Sequence, residues 1–313
     1  MKAYAIEGPD KPASIVKVPD PEVGDGDVLV SVRAASVNGF DVFQASGYLV
    51  GMMEHRFPAV IGRDLAGVVE GTGSEVTDFA VGDEVFGFAP SVPPLAIGTF
   101  AERVAGSDLV MAAKPKELDF VQAAALPLAG TAALDMLDAA GVTAGDTVLI
   151  VGATGGVGHF AVQLASKRGA TVIATSPPDD EAFVRDLGAT HVVDHTAGNV
   201  ATAVRSLYPD GITTLIDVVS QGEALTDIGS VVSSGGRVGS LLGAADVDQF
   251  DARGVKADNI NAAPTIEKLE LLATMVTTGE LKVIFQRRYS LDQVDEAFEA
   301  FRQGKRGKLV IQV

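Results

Sequence analysis

The chain has 313 residues and no cysteine, and its 24 lysine and arginine residues face 41 aspartate and glutamate residues, a formal net charge of −17. That charge disfavours nucleic-acid phosphates and anionic membranes as partners, and the missing thiols remove disulfides, thiol nucleophiles and thiolate metal ligands. With 47% hydrophobic residues and a mean hydropathy of +0.27, a large core in two domains is expected.

The opening Met1-Lys2-Ala3-Tyr4 runs into strand-like sequence with no secretory pattern, and no apolar run is long enough to span a bilayer; a cytoplasmic protein is expected. The first third reads as β-rich. Asp27–Val37 carries β-branched residues after Gly24-Asp25-Gly26, and further strands are expected at Ala66–Glu70 and Glu84–Phe88. From Phe120 the texture becomes Ala-rich and helical, which places a boundary near residue 121. Strands and helices then alternate at βαβ spacing. Strands are expected at Thr147–Gly152, Thr171–Thr175, His191–Asp194, Thr214–Val219, Arg237–Leu241 and Val255–Asn259. The fold class is therefore α/β, with a doubly wound parallel Rossmann sheet over 121–259. A helix at Thr265–Thr278, a capped amphipathic helix within Tyr289–Phe301 and a strand at Lys308–Val313 close the chain, the last strand returning to the first domain.

The chemistry-bearing stretch is Thr147–Ala165, an apolar strand that breaks into Gly152-Ala153-Thr154-Gly155-Gly156-Val157-Gly158 and continues as a helix. Bare backbone at a strand-to-helix turn lets amides approach a pyrophosphate at the positive end of a helix, so Thr154, Gly155, Gly156, Val157 and Gly158 are candidate cofactor residues. The second strand ends Thr175-Ser176. A carboxylate there would repel a 2′-phosphate and a hydroxyl tolerates one, which favours NADPH, with Arg185 the nearby positive charge. Against this stand Asp179, Asp180 and Glu181, which either oppose the phosphate or cap the next helix. His195 after the third strand and Val219 at the end of the fourth complete the candidate rim.

The ordered segments Ala35–Asp41, Pro58–Val69, Val81–Gly87, Gly98–Glu102, Ala125–Ala132, the glycine loop, Leu187–Asp194 and Arg306–Val310 resemble the zinc-independent, zeta-crystallin-like quinone oxidoreductases of the medium-chain dehydrogenase/reductase superfamily, over nearly the whole length. The resemblance implies a GroES-like β-barrel domain, here residues 1–120 plus 260–313, with the Rossmann domain inserted and NADPH in the cleft. It also implies that Asn38 and Thr131 approach the nicotinamide and its ribose; the alternatives are that Asn38 closes a turn and Thr131 caps or back-bonds in its helix. Where the alcohol dehydrogenase branch carries Gly-His-Glu, this chain has Gly62-Arg63-Asp64. Arginine cannot ligate zinc, and His55, His159, His191 and His195 show no ligand spacing and read as surface or element-end residues, so no metal is expected.

Without a Lewis acid, the chemistry left is hydride donation to an acceptor that is already electrophilic, a quinone or an enone. Candidate donors around it are Tyr48 and the backbone at Gly239, Ser240 and Leu241, the first two of which also border the cofactor. Asp41 either takes part or holds its loop by accepting from backbone amides. Lys308 either reaches a cofactor phosphate or is a solvated strand-edge lysine. The loops Tyr48–Phe57 and Val92–Gly98, with Leu49, Val50, Met52, Met53, Leu95 and Ile97, are expected to line an apolar acceptor pocket. An enoyl or alkenal reductase is the rival within enzymes, and a nucleotide-sensing or RNA-binding protein the rival outside them. The last Rossmann strand is a sheet edge, which favours a homodimer.

Overall fold

The computed structural model describes residues 1–313 and divides into two compact units, Met1–Leu128 with Pro264–Val313, and Ala129–Ala263. In chain order the first unit supplies strands β1 (Lys2–Ile6), β2 (Ser14–Lys17) and β3 (Val28–Ser36), then helix α1 (Gly39–Ala45). Strands β4 (Ala59–Val60), β5 (Asp64–Thr72), β6 (Glu84–Phe88), β7 (Arg103–Gly106) and β8 (Val110–Ala113) follow, then helix α2 (Phe120–Ala124). Helix α3 (Pro127–Ala139) carries the first boundary. Beyond it come β9 (Thr147–Val151), α4 (Gly158–Lys167), β10 (Thr171–Ser176), α5 (Glu181–Asp186), β11 (His191–Asp194) and α6 (Val200–Leu207). The unit ends with β12 (Ile212–Asp217), α7 (Gly222–Gly229), β13 (Val232–Ser240), α8 (Val247–Asp251) and β14 (Lys256–Asn259). The tail adds α9 (Ile266–Thr277), β15 (Phe285–Ser290), α10 (Val294–Arg302) and β16 (Lys308–Gln312).

In the first unit β3 is the hub. Along one edge it pairs antiparallel with β5, and along the other it pairs with β7 over Val28–Ser31 and with β16 over Ala34–Ser36. The returning tail is thus stitched to the N-terminal segment, and β1 forms a separate small sheet with β2 and β4. The alternation of β3 and β5 buries Val30, Val32, Leu65 and Val69 with Val85, Val104 and Met111. A second cluster seats Phe298 of α10 edge-on against Tyr4, ring centroids 5.7 Å apart, among Ile61, Phe100, Leu309 and Ile311.

The second unit is a six-stranded all-parallel sheet in the order β11-β10-β9-β12-β13-β14. Renumbered from β9 this is 3-2-1-4-5-6, the doubly wound dinucleotide-binding order. The first strand lies at the centre, so Val148, Leu149 and Ile150 are fully buried, as a strand covered on both faces requires.

The structure shifts several sequence-based boundaries. The first unit extends past residue 121 to Leu128 because α2 packs on β3 and β5, and the second boundary falls at 263/264 rather than near 260. β12 ends at Asp217, where Oδ1 accepts from the amides of Val219 (2.9 Å) and Ser220 (2.6 Å) and turns the chain out of the sheet. The segment expected to be helical from Tyr289 is strand up to Ser290, whose capping box with Gln293 opens a short turn ahead of α10.

Candidate functional site

The glycine turn is built by exclusion. Gly152 holds a positive φ of 83°, and a Cβ there would lie 2.3 Å from Cγ2 of Val219. On Gly158 a Cβ would lie 2.1 Å from the Gly152 carbonyl oxygen, so the entry to α4 rests directly on the turn that precedes it. Gly155 donates to Gly152 O at 3.1 Å, and its own Cβ position is nearly open, with only that oxygen at 3.3 Å. The amides of Gly156, Val157 and Gly158 donate to no backbone carbonyl, and Val157 at the N-cap adds no side-chain cap. Unpaired N–H groups therefore sit together at the positive end of a ten-residue helix, an arrangement that holds an anion. Thr154, Gly155, Gly156 and Val157 are half-buried. In the same unit, Thr131 Oγ1 and Asp217 Oδ2 are buried with no hydrogen-bond partner. A dinucleotide fits these residues: bare backbone for its diphosphate and unpartnered polar atoms for its hydroxyl and amide groups.

The other expected residues of this unit stand differently. Thr175 and Ser176 are buried, and their hydroxyls are engaged: Gly152 N donates to Thr175 Oγ1 at 3.1 Å, and Ser176 Oγ donates to Pro177 O at 3.1 Å. Thr175 braces the glycine turn. Arg185 is committed to Glu181 (2.8 Å) and to the Thr190 carbonyl (3.1 Å), so its charge is already paired. His195 is exposed beyond β11 and Val219 is 56% exposed over Gly152. Gly239 and Ser240 lie buried in the β12–β13–β14 ladder, Ser240 Oγ accepts from Ala244 N, and Leu241 N donates to Asp217 O. That backbone offers no donors to an acceptor. His159, expected at an element end, is fully buried with Nδ1 3.0 Å from Gly155 O.

The first unit holds a network of buried polar groups. Asn38 caps α1, and its own amide N–H donates to Asp41 Oδ2 at 2.8 Å. Asn38 Nδ2 donates to Asp64 Oδ2 (2.8 Å) and Ser36 O (3.3 Å), while its Oδ1 accepts from Lys308 Nζ at 2.6 Å. Asp64 also accepts from Ser36 Oγ (2.6 Å) and from Leu128 N (3.0 Å), and lies 3.5 Å from Lys308 Nζ. The carboxamide is thus held in one orientation. Lys308 is 1% exposed and also donates to Val37 O. It is neither a surface lysine nor presented to a phosphate; burial pushes its ammonium down, and Asp64 and Asp41 oppose that. Burial raises the Asp41 carboxyl to about 7, against the favourable influence of Arg63 and of the Asn38 amide. Asp41 therefore holds the start of its helix. Tyr48 is 63% exposed at a loop tip, its ring 5.9 Å from that of Phe43, outside this network. Of the expected apolar pocket, Leu95 and Ile97 line a cavity.

Sequence reading missed Asp64 and Ser36 as partners of Asn38. The available signal was Arg63-Asp64, two charges opening an apolar strand, which a surface-bound strand does not need.

Fold and turn together define a nicotinamide-dinucleotide oxidoreductase built on a Rossmann unit. Residues 24–115 match the alcohol dehydrogenase GroES-like domain and 156–267 the zinc-binding dehydrogenase domain. The chain is 34% identical over 299 residues to 2-methylene-furan-3-one reductase of Solanum lycopersicum, spanning 93% of this chain and 73% of the relative. It is 31% identical over 328 residues to the quinone oxidoreductase of Sus scrofa, at 99% and 96%. The quinone oxidoreductase structure from Coxiella burnetii superposes with a TM-score of 0.88 at 29% identity, covering 100% and 98%. The chain belongs to the quinone oxidoreductase-like branch of the medium-chain dehydrogenase/reductase family, and it is an oxidoreductase. A catalytic zinc does not fit it: there is no cysteine, Arg63 follows Gly62, and no three His, Asp or Glu residues cluster as metal ligands.

Proposed function

We propose that the chain transfers hydride from NADPH to a quinone or related conjugated carbonyl acceptor without a metal ion. The carrying observation is the row of unpaired amides at Gly156, Val157 and Gly158 on the positive end of α4. In a sheet of this order, a diphosphate on such a row belongs to a dinucleotide. Bound, the cofactor supplies the hydride; the acceptor takes that electron pair and a proton from water, and leaves as a hydroquinone or a saturated ketone. We assign Thr131 of the second unit and, separately, Asn38 of the first unit to cofactor binding. Lys308 and Asp64 hold the Asn38 amide in place.

The preference for the phosphorylated coenzyme rests on β10 ending in Thr175-Ser176 with no carboxylate at the ribose. Because both hydroxyls are buried and engaged, it does not rest on their contact with the phosphate. Reduction of an enone double bond is the companion reading, favoured by the relative that reduces a methylene-furanone. Loss of NADPH absorbance with benzoquinone, phenanthrenequinone and an α,β-unsaturated ketone tests both, and product analysis separates them. NADPH binding with no turnover of any acceptor overturns the proposal. The free edge of β14, which pairs only with β13, supports a homodimer formed edge to edge; a mass near 32.2 kDa in light scattering refutes that. No helix is long and apolar enough to cross a membrane.

A further inference from the structure

Arg63 is a buried cation with an incomplete shell. It is 1% exposed, yet no carboxylate lies within ion-pair distance. Nη1 donates to Pro90 O (3.1 Å), Nη2 to Gln44 Oε1 (3.2 Å), and the guanidinium carbon lies 4.5 Å from the centroid of the Phe40 ring. Nε has no partner, and neither have Gln44 Nε2 and Asp41 Oδ1 beside it. Burial lowers the guanidinium to about 10, so it stays charged at neutral pH. Asp41, the acid whose charge acts on it, is itself pushed toward neutrality by burial. A desolvated cation normally demands an anion.

Arg63 lines a cavity of about 200 Å³ together with Arg56, Leu95, Ile97 and Asp108. Arg56 has no ion-pair partner of its own. A second cavity, of about 630 Å³, shares Arg56, Ile97 and Asp108 with the first. At about 30 Å³ per water, the smaller one has room for several waters or a small organic acid. In a chain of net charge −17, a small cavity lined by two arginines and one acid, Asp108, opposes the general field.

We propose that this cavity holds an anionic group of the acceptor, with Arg63 as its principal anchor and Arg56 as the second. The preferred acceptors are conjugated carbonyl compounds that carry a carboxylate. The inference rests on the proposed reduction of such acceptors and adds their charge class.

The test compares acetylacrylate with ethylideneacetone, in which a methyl replaces the carboxylate, and measures levulinate, the acid without the conjugated double bond, by calorimetry without cofactor. The ratio of kcat/KM for acetylacrylate to that for ethylideneacetone is expected to exceed one. It should fall at least about thirtyfold in Arg63→Gln and by a smaller factor in Arg56→Gln, an exposed site that leaves the fold alone. Levulinate should bind wild type and fail to bind Arg63→Gln. If no levulinate binds wild type, or if the ratio is unchanged in both variants, the anion site is wrong. If levulinate binds through Arg63 while neither ketone is turned over, the site stands and the reduction reading falls.

Discussion

The glycine turn of the second unit and the Asn38 network of the first are built in opposite ways. The turn is made by side chains that are missing: its amides stay unpaired, and the Gly158 Cβ position is already filled by Gly152 O. The network is made by buried polar side chains, with Lys308 and Asp64 holding each other and one amide. A backbone site breaks when an atom is added, and a side-chain network breaks when a charge is removed. The predictions test that contrast.

The largest effect is expected at the turn. Gly158→Val places carbon 2.1 Å from a backbone oxygen that has no flexible end to move, so the turn must open, at a cost above about 4 kcal/mol. Titration with NADPH should then show no binding. Gly155→Ala, whose Cβ meets only one oxygen at 3.3 Å, should keep the fold and weaken the coenzyme measurably. Equal behaviour of the two variants would remove the steric account.

Next is Lys308→Met, which leaves Asp64 buried without its cation. The expected loss is about 3 to 5 kcal/mol, read from urea midpoints. Adding Asp64→Asn should restore part of it, because the double change removes both charges. If the double variant is less stable than the single one by the full cost of Asp64→Asn in the wild-type background, the two residues are uncoupled.

How much of each site was legible follows the same divide. The turn lies within Gly152–Gly158 and the parallel sheet follows from alternating strands and helices, so glycine spacing and periodicity reveal both, though not the strand order. The network joins residues 270 positions apart, and no local pattern encodes that pairing. Lys308 illustrates the difficulty: from sequence it is either a phosphate ligand or a surface lysine, and only the pairing of β16 with β3 buries it. Thr175 and Ser176 end a strand, as the pattern predicts, but periodicity does not show that the Thr175 hydroxyl faces the turn.

A smaller effect belongs to Asp41, and its sign is opposite to that of a paired surface acid. Its carboxyl, raised to about 7, keeps a proton between roughly pH 4 and 7 that the unfolded chain, near 3.9, has already released. Folding therefore loses stability as pH rises through that window. Asn38, Gln44, Arg63, Asp64 and Lys308 are the polar and charged groups around it; of these only Arg63, Lys308 and the Asn38 amide favour the charged form. In Asp41→Asn, the fall in unfolding free energy between about pH 5 and pH 8, read from urea titrations, should shrink by an amount of the order of 2 kcal/mol. A slope identical to wild type would show that Asp41 is ionised throughout.

The smallest effect tests whether the two styles of site meet at one residue. Thr175 is a side chain that supports the backbone turn by accepting from Gly152 N at 3.1 Å while 3% exposed. Thr175→Val keeps the β-branched shape and removes that acceptor, leaving one half-buried amide unpaired at a cost of about 1 kcal/mol. If its role is to brace the turn, weaker NADPH and NADH binding should appear in equal proportion. If its hydroxyl selects the 2′-phosphate instead, NADPH alone weakens. The buried position and the bond to Gly152 favour the first result, because a hydroxyl already accepting from the turn is not aimed at a ribose outside the sheet.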